Sequence, residues 1–419
     1  MTEYYDALET RDRATREAAL MAALPGQVSH AKTSSSAFSE IFRDVDARLV
    51  NSREALARLP VTRKHELLER QHASHGAVDG DLFGGFSAVP FGPHMPRVFS
   101  SPGPIYEPEG VTQDYWRMAR AMHAAGFRAN ELIYNCFSYH FVPAGSMMES
   151  GARALGCTVF AGGTGQTEQQ VQAMAQLRPA GYIGTPSFLK IIVDKAAEMG
   201  VALPSVKKAM FGGEAFPPSL CHWFAERGIT GYQCYATADL GSIAYETVAR
   251  EGLVVDEGVI VEIVRPGTGD PVAEGEVGEV VVTTFNREYP LIRFGTGDLS
   301  AILPGTCPSG RTNARIKGWM GRADQTTKIR GMFVHPGQVA DITRRFPEVK
   351  RARLVVTGEL ANDTMTLRVE ATVAESEALA TTIGEAIRAV TKLRGSVEFV
   401  RPGSLPNDGK VIEDARSYT

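Results

Sequence analysis

Pro290-Leu-Ile-Arg-Phe-Gly-Thr-Gly-Asp298 runs from an apolar strand into a glycine-rich end that carries a carboxylate. Three later segments share the design: Gly321-Arg-Ala-Asp324, Ile329-Arg-Gly331 and Pro406-Asn-Asp-Gly-Lys410. Each sets a charged side chain beside glycine, where backbone turns tightly and approaches a ligand closely. Asp298 follows Gly295 and Gly297 at the strand end, which suits two hydrogen bonds to a ribose diol. A lone Gly-Thr-Gly-Asp is more often a turn whose aspartate bonds its own backbone. The Pro-Leu-Ile-Arg before it and the ordered motifs after it favour a ligand.

Working outward, 419 residues exceed what one hydrophobic core covers, so two or more domains are expected. Charged residues at 22% and hydrophobic ones at 43% describe an ordinary globular chain rather than a disordered or fibrous one. A net charge of -4 provides no basic field for nucleic acid or an anionic membrane, so neither is expected as a partner. The opening Met1-Thr-Glu-Tyr-Tyr-Asp6 lacks a basic region followed by an apolar one, and no apolar run is bilayer-length. The chain reads as cytoplasmic. Its five cysteines are scattered without a C-x-x-C pair, which fits reduced thiols rather than a disulfide framework.

Between about 130 and 245 the apolar runs at 132–134, 158–161, 181–183, 208–211 and 231–235 alternate with helix-like stretches. That alternation predicts right-handed βαβ units and a mainly parallel sheet. Thr167 and Gln170 have capping-box spacing for a helix running to Leu177. Upstream, residues 1–75 are polar and helical in character, notably over 11–24 and 53–59. Leu56-Ala-Arg-Leu-Pro60 followed by Val61-Thr-Arg-Lys64 places a proline break before a Thr-capped helix. Residues 76–110 read as loop with one strand pair. Downstream, 259–264 and 279–285 flank Pro266-Gly-Thr-Gly-Asp270 and predict antiparallel strands. Beyond Gly331 the pattern predicts a small α+β unit, with strands at 352–357, 365–373 and 396–400 and a helix across 375–392.

Taken together, the four punctuated segments resemble the adenylate-forming enzymes, with the best match in the phenylacetate–coenzyme A ligase family. The resemblance runs from about Leu56 to Lys410. It implies an α/β fold: a large N-terminal adenylate-forming domain (1–323) with parallel-rich sheets and a small β-barrel-like part, and a small mobile α+β C-terminal domain (324–419). It implies ATP, AMP and Mg²⁺ as ligands, a carboxylic acid and coenzyme A as substrates, and a homodimer. By the same resemblance Asp298 holds ribose, Arg322 meets ribose or phosphate, Asp324 is the hinge and Lys410 is the catalytic lysine. A mobile ammonium at Lys410 suits charge developing between carboxylate and α-phosphate. Phe211-Gly-Gly-Glu-Ala215 matches the family's adenine-binding segment through Gly213 and Glu214. Tyr235-Ala-Thr-Ala-Asp239 matches the Tyr-Gly-x-Ser/Thr-Glu motif, in which the ring stacks on adenine, the hydroxyl meets phosphate and the acid binds Mg²⁺. Tyr235, Thr237 and Asp239 take those roles here, with alanine replacing glycine and aspartate replacing glutamate.

The phosphate loop departs furthest. The family's Ser-Ser-Gly-Thr-Thr-Gly-Lys-Pro type of loop is replaced by Phe99-Ser-Ser-Pro-Gly-Pro-Ile-Tyr-Glu-Pro108. Ser100, Ser101 and Gly103 remain as phosphate-binding candidates, while three prolines supply no N–H and Glu107 adds negative charge near the pyrophosphate position. Each lost charge-assisted hydrogen bond is worth roughly 1.5–3 kcal/mol. An acyl pocket is expected beside 134–145, lined by Tyr134, Phe137, Tyr139, His140, Ala144 and Gly145, although ordinary packing explains many aromatic residues in such a span. The short Gly162-Gly-Thr-Gly165 run has the wrong spacing for a dinucleotide fingerprint. Cys307-Pro-Ser-Gly310 lacks the second cysteine of the family's Cys-Pro-x-Cys segment, so no zinc is expected. The leading expectation is an ATP-dependent acid–CoA ligase for an aryl, phenylacetate-like acid. The alternatives are a non-catalytic nucleotide- or acyl-binding paralogue and an adenylyltransferase to a non-CoA acceptor.

Overall fold

The computed structural model describes residues 3–74, 80–265, 268–320, 322–323, 327–330, 332–334, 336–358, 363–372, 376–406 and 410–416. The chain divides into two compact units, Met1–Met320 and Gly321–Thr419.

The first unit begins with α1 (Arg13–Ser34), started by Asp12, whose side chain accepts the Thr15 amide. A two-residue strand, β1 (Thr62–Arg63), leads directly into α2 (Lys64–Ser74). Thr62 therefore does not cap that helix. It is buried in β1, where its amide donates to the Arg293 carbonyl at 3.0 Å. The Arg63 amide is met instead by Glu66 Oε2 at 3.3 Å. Next, β2 (Arg97–Ser101) and β3 (Ile105–Glu109) form a hairpin around Pro102-Gly-Pro104, with Phe99 opposite Glu107.

The alternating segment follows as α3 (Met118–Ala124), β4 (Leu132–Asn135), α4 (Ala144–Ala154), β5 (Thr158–Ala161), α5 (Thr167–Leu177), β6 (Gly181–Gly184), α6 (Pro186–Glu198), β7 (Lys208–Phe211), α7 (Pro218–Ala225) and β8 (Thr230–Thr237). All five expected runs are strands, and they lie parallel in the order β5-β4-β6-β7-β8. β6 is buried along its whole length, as strands covered on both faces are. β9 (Gly241–Glu246) and β10 (Leu253–Val255) extend this sheet antiparallel. β11 (Val259–Val264), β12 (Gly278–Thr284) and β13 (Phe294–Ser300) join β1 in a second sheet, and β14 (Ile302–Leu303) and β15 (Arg315–Ile316) return to complete the nine strands of the first. Where a barrel-like part was expected, the described strands make an open sheet of order β1-β13-β12-β11. Leu20, Leu24 and Val28 of α1 pack with the apolar side chains of β11–β13 in one core, so burial is achieved by helix on sheet.

Two polar groups organise this unit from inside. Arg293, in the motif before Asp298, is 1% exposed. Its Nε donates to Glu262 at 3.0 Å, and its other nitrogens donate to the carbonyls of Ala57, Leu59 and Gly269. It thus fastens β13 to β11 and to the segment entering β1. Gln170 does not complete a capping box with Thr167, because Gln166 is the cap residue of α5 and makes no side-chain cap bond. The Gln170 amide instead donates to the carbonyls of Gly162 and Gly165, and its oxygen accepts the Tyr134 hydroxyl at 2.6 Å. Satisfying that buried hydroxyl outweighs capping a helix end that already borders solvent.

The second unit contains the hairpin β16 (Thr327–Ile329) and β17 (Met332–Val334), α8 (Pro336–Thr343), β18 (Val349–Thr357), β19 (Thr364–Ala371), α9 (Glu377–Thr391), β20 (Ser396–Val400) and β21 (Ile412–Asp414). Its larger sheet has the order β20-β19-β18-β21, with β18 and β19 antiparallel. α9 is capped by Ser376 and packs Ile383 and Ile387 into the core formed with β18 and β19. β21 adds a strand after β20, parallel to β18 through Leu354 opposite Ile412.

Candidate functional site

Open α/β sheets bind ligands beyond the carboxyl ends of their strands, and here β4, β7 and β8 end around one apolar cavity. Asn135 closes β4 and shapes the following loop. Its Nδ2 donates to the Gly145 carbonyl at 2.9 Å and to the Tyr139 oxygen at 2.8 Å, while its Oδ1 accepts the Phe137 amide at 3.1 Å. The cavity measures about 150 Å³. Its walls are the hairpin tip (Ser101, Pro102), the loop and first turns of α4 (Phe137, 142–144, Met147, Met148), Gly212 and Gly213 after β7, and Cys234 with 236–238 on and after β8. Burial pushes the Cys234 thiol up to about 12, so it acts as a neutral, apolar wall.

Of the six residues expected to line an acyl pocket, Phe137 and Ala144 do so. Tyr134 is fully buried, stacked on Phe160 and tied to Gln170, so it is core. Tyr139 is held by Asn135, and His140 lies exposed on the loop. Gly145 is a packing position: a Cβ there would stand 2.8 Å from the Ser138 carbonyl and the Tyr139 ring.

Beside the cavity lie the residues expected to bind nucleotide. Gly213 has φ +76° and an exposed backbone, which a side chain would strain. Glu214, also exposed, accepts the Ser187 hydroxyl from the start of α6 at 2.5 Å. Tyr235 donates its hydroxyl to Asp298 Oδ2 at 2.8 Å, and Trp319 donates its indole N–H to Asp298 Oδ1 at 3.1 Å. Sequence reasoning placed Tyr235 and Asp298 in one site without anticipating that they touch, and it missed Trp319. Thr237 lines the cavity while its Oγ1 accepts the Leu240 amide at 3.2 Å, so that hydroxyl shapes the turn after β8.

The phosphate-loop position is the β2–β3 hairpin, and it is not an open cradle of amides. The Ser100 amide donates to the Phe141 carbonyl at 2.8 Å. The Ser101 hydroxyl points inward and donates to Glu107 Oε1 at 2.6 Å. Gly103 sits at the exposed tip. Glu107, expected to add negative charge near the pyrophosphate position, is likewise turned into the body and is 2% exposed. Burial and the neighbouring Asp239 carboxylate hold its carboxyl well above the usual range, against the pull of Lys64 and Ser101. Lys64, the first residue of α2, reaches Asp239 Oδ2 at 3.1 Å, Ser101 Oγ at 3.3 Å and Glu107 Oε1 at 3.9 Å. Sequence reasoning passed over this lysine, although a cation directly after a proline break, in a chain whose loop has lost its own, was a usable signal.

Residues 109–286 match the model for AMP-binding enzymes, and 331–414 match the AMP-binding enzyme C-terminal domain. A phenylacetate-coenzyme A ligase of Thermus thermophilus is 32% identical over 342 residues, covering 78% of this chain and 74% of that protein. One from Aromatoleum evansii is 31% identical over 331 residues, covering 75% and 72%. The chain belongs to the phenylacetate–coenzyme A ligase family of adenylate-forming acid–thiol ligases. A crystal structure of 2-hydroxyisobutyryl-CoA ligase in complex with 2-HIB-AMP and CoA shares the fold, with a TM-score of 0.81 at 24% identity over 100% of this chain and 93% of that one.

The remaining family positions lie in the second unit. Arg322 is half-buried, and Asp324, the expected hinge, lies outside the described residues, as do 407–409. Arg330 is tied to Asp363, with its amide donating to Oδ2 at 3.1 Å and its Nε to the carbonyl at 3.0 Å. Lys410 is exposed, and it directly precedes the short segment that pairs with β18: the Val411 carbonyl accepts the Leu354 amide at 2.9 Å. That anchoring distinguishes it from a lysine in a loose tail. Among the described residues no cluster of three or more His, Cys, Asp or Glu is placed to hold a metal, and no helix is long and apolar enough to cross a membrane.

Proposed function

We propose that this family member is an ATP-dependent acid–CoA ligase acting on a small, uncharged-tailed aryl acid through an acyl-adenylate. The observation that carries the reading is that one strand end serves both halves of such a reaction. Tyr235 of β8 donates to Asp298, while the adjoining 236–238 form a wall of the apolar cavity. A cavity of about 150 Å³ has the size that accepts a single benzene ring. Phe137, Met147 and Met148 offer it aromatic and polarisable contacts.

In the proposed reaction a substrate carboxylate oxygen attacks the α-phosphorus of ATP. The new O–P bond forms as the bond to pyrophosphate breaks. The thiolate of coenzyme A then adds to the acyl carbon, and AMP departs with the electrons of the C–O bond. Asp298 accepts from the ribose hydroxyls, the Tyr235 ring lies on adenine, and the backbone at Gly213 and Glu214 borders the base. Arg322 and the Lys410 ammonium neutralise phosphate charge, and Asp324 is the hinge between 1–323 and 324–419. The Asp239 carboxylate suits Mg²⁺ as a hard oxygen donor at the acid position of the motif after β8. Mg²⁺ held there would screen the charge of the phosphates.

Pyrophosphate release with a panel of aryl and short acyl acids tests the reading, followed by mass spectrometry for a thioester after coenzyme A is added. Release with monocyclic aryl acids, abolished in Lys410→Ala, is expected. ATP binding without release for any acid would favour a non-catalytic binding protein, and acyl-adenylate without thioester would favour a different acceptor.

A further inference from the structure

The chain is gripped on both sides of Lys410 by charged side chains of the second unit. Arg351 and Arg353 stand two apart on β18, so their side chains share a face. Both reach the Pro406 carbonyl, Arg351 Nη2 at 3.0 Å and Arg353 Nη2 at 3.1 Å. Arg351 Nη1 also donates to the Leu405 carbonyl at 3.0 Å. Glu370 of β19, 3% exposed, accepts the Leu405 amide at 2.7 Å. Beyond the lysine, Arg353 Nη1 donates to Glu413 of β21 at 3.2 Å, while the Leu354 amide donates to the Val411 carbonyl. Arg353, 4% exposed, therefore ties down the backbone before Lys410 and the strand after it.

We infer that Arg351, Arg353 and Glu370 are positioning residues for Lys410, an inference that rests on the ligase reading above. A lysine carries its charge on a flexible stem, so the ammonium is placed only as accurately as the backbone beneath it. That accuracy matters, because a misplacement of about 1 Å can cost about 10² in rate. Surface turns close with a single backbone hydrogen bond or none. Here one carbonyl takes two guanidinium donors, bonds of the stronger, charge-assisted kind. The residue they hold is a proline, whose ring fixes φ. Holding its carbonyl therefore sets the direction in which the chain leaves towards Lys410, four residues on. The three side chains act through that backbone rather than on the reacting atoms.

The test compares the full chain as wild type, Arg351→Met, Arg351→Lys and Arg353→Met. Hydrogen exchange is followed over 401–414, and pyrophosphate release is measured with ATP and a monocyclic aryl acid. Thermal unfolding checks that each variant is folded. In the methionine variants, exchange over 401–414 should quicken about tenfold or more while α9 and β19 keep their wild-type rates. Their kcat should fall about tenfold or more with KM for ATP and for the acid within about threefold, and Arg351→Lys should recover part of the loss. If Arg353→Met does not fold, Arg351→Met carries the comparison, since that side chain is 41% exposed. Wild-type exchange in the folded methionine variants, or faster exchange with wild-type kcat, overturns the inference while leaving the ligase reading in place. A wild type that releases no pyrophosphate with any acid overturns the ligase reading, and the catalytic purpose of the clamp with it.

Discussion

The ribose assignment of Asp298 can be separated from a structural role by pairing a substitution with a matching change in the ligand. Asp298 is 7% exposed and is held from two sides by Tyr235 and Trp319. A carboxylate fixed in this way loses little freedom when it accepts further donors. Two hydrogen bonds from a diol to a charged acceptor are worth roughly 1.5–3 kcal/mol each, or about 3–6 kcal/mol together. Asp298→Ala should therefore lower ATP affinity by about 10² or more, since about 1.4 kcal/mol is tenfold. Folding should suffer less: Tyr235 is half-buried and Trp319 exposed, so both freed donors can find water. Calorimetric titration with ATP and with 2′,3′-dideoxy-ATP reads the two roles apart. The dideoxy nucleotide has no diol, so the substitution should change its affinity by less than about threefold. Equal losses for both nucleotides would show that the carboxylate shapes the site without touching ribose.

Three further outcomes follow from the geometry. Arg293→Met leaves Glu262 and three carbonyls without their donor in the interior, so a urea melt should show a loss of about 3–5 kcal/mol, and adding Glu262→Gln should recover part of it. Ala144→Phe should fill much of the roughly 150 Å³ cavity, raising KM for an aryl acid about tenfold or more while ATP affinity stays at the wild-type value. Asp114 accepts the Met118 and Ala119 amides at the start of α3, yet burial, acting against those bonds, raises it from 3.8 to about 6. Between about pH 4 and 6 the folded protein therefore holds a proton that the unfolded chain releases, so this group's stabilisation is complete below that window and is lost as pH rises through 6. Because the side chain is only half-buried, the span is roughly 1–2 kcal/mol, and urea midpoints measured across the window should flatten in Asp114→Asn.

The parallel sheet was legible because its strands are short apolar runs bounded by turns, and burial on both faces leaves such runs few other places to go. The second unit was legible for the same reason, except for β21, whose Ile412-Glu-Asp414 is too short and too charged to announce a strand. Thr62 shows a different limit. Threonine before a helix reads as a cap, and only a partner strand more than two hundred residues away makes it a strand residue. The pocket was half legible. Tyr134, Phe137, Tyr139 and His140 are equally aromatic in sequence, but Phe137 alone of these faces the cavity, because Asn135 and Gln170 claim the tyrosines.

The hairpin shows why motif comparison misjudges charge. Position by position, the loop loses a lysine and gains Glu107, which reads as a site turned against phosphate. In space, Glu107 is withdrawn into the interior and a lysine arrives from another element, 37 residues from Ser101 and 175 from Asp239 along the chain. No spacing rule relates those three residues, since their contact exists only after β1 has paired with β13 and delivered α2 to the hairpin. The electrostatic character of the site is therefore a property of the sheet arrangement. A substitution that unpairs β1, far from any motif, should disturb it as surely as one in the loop.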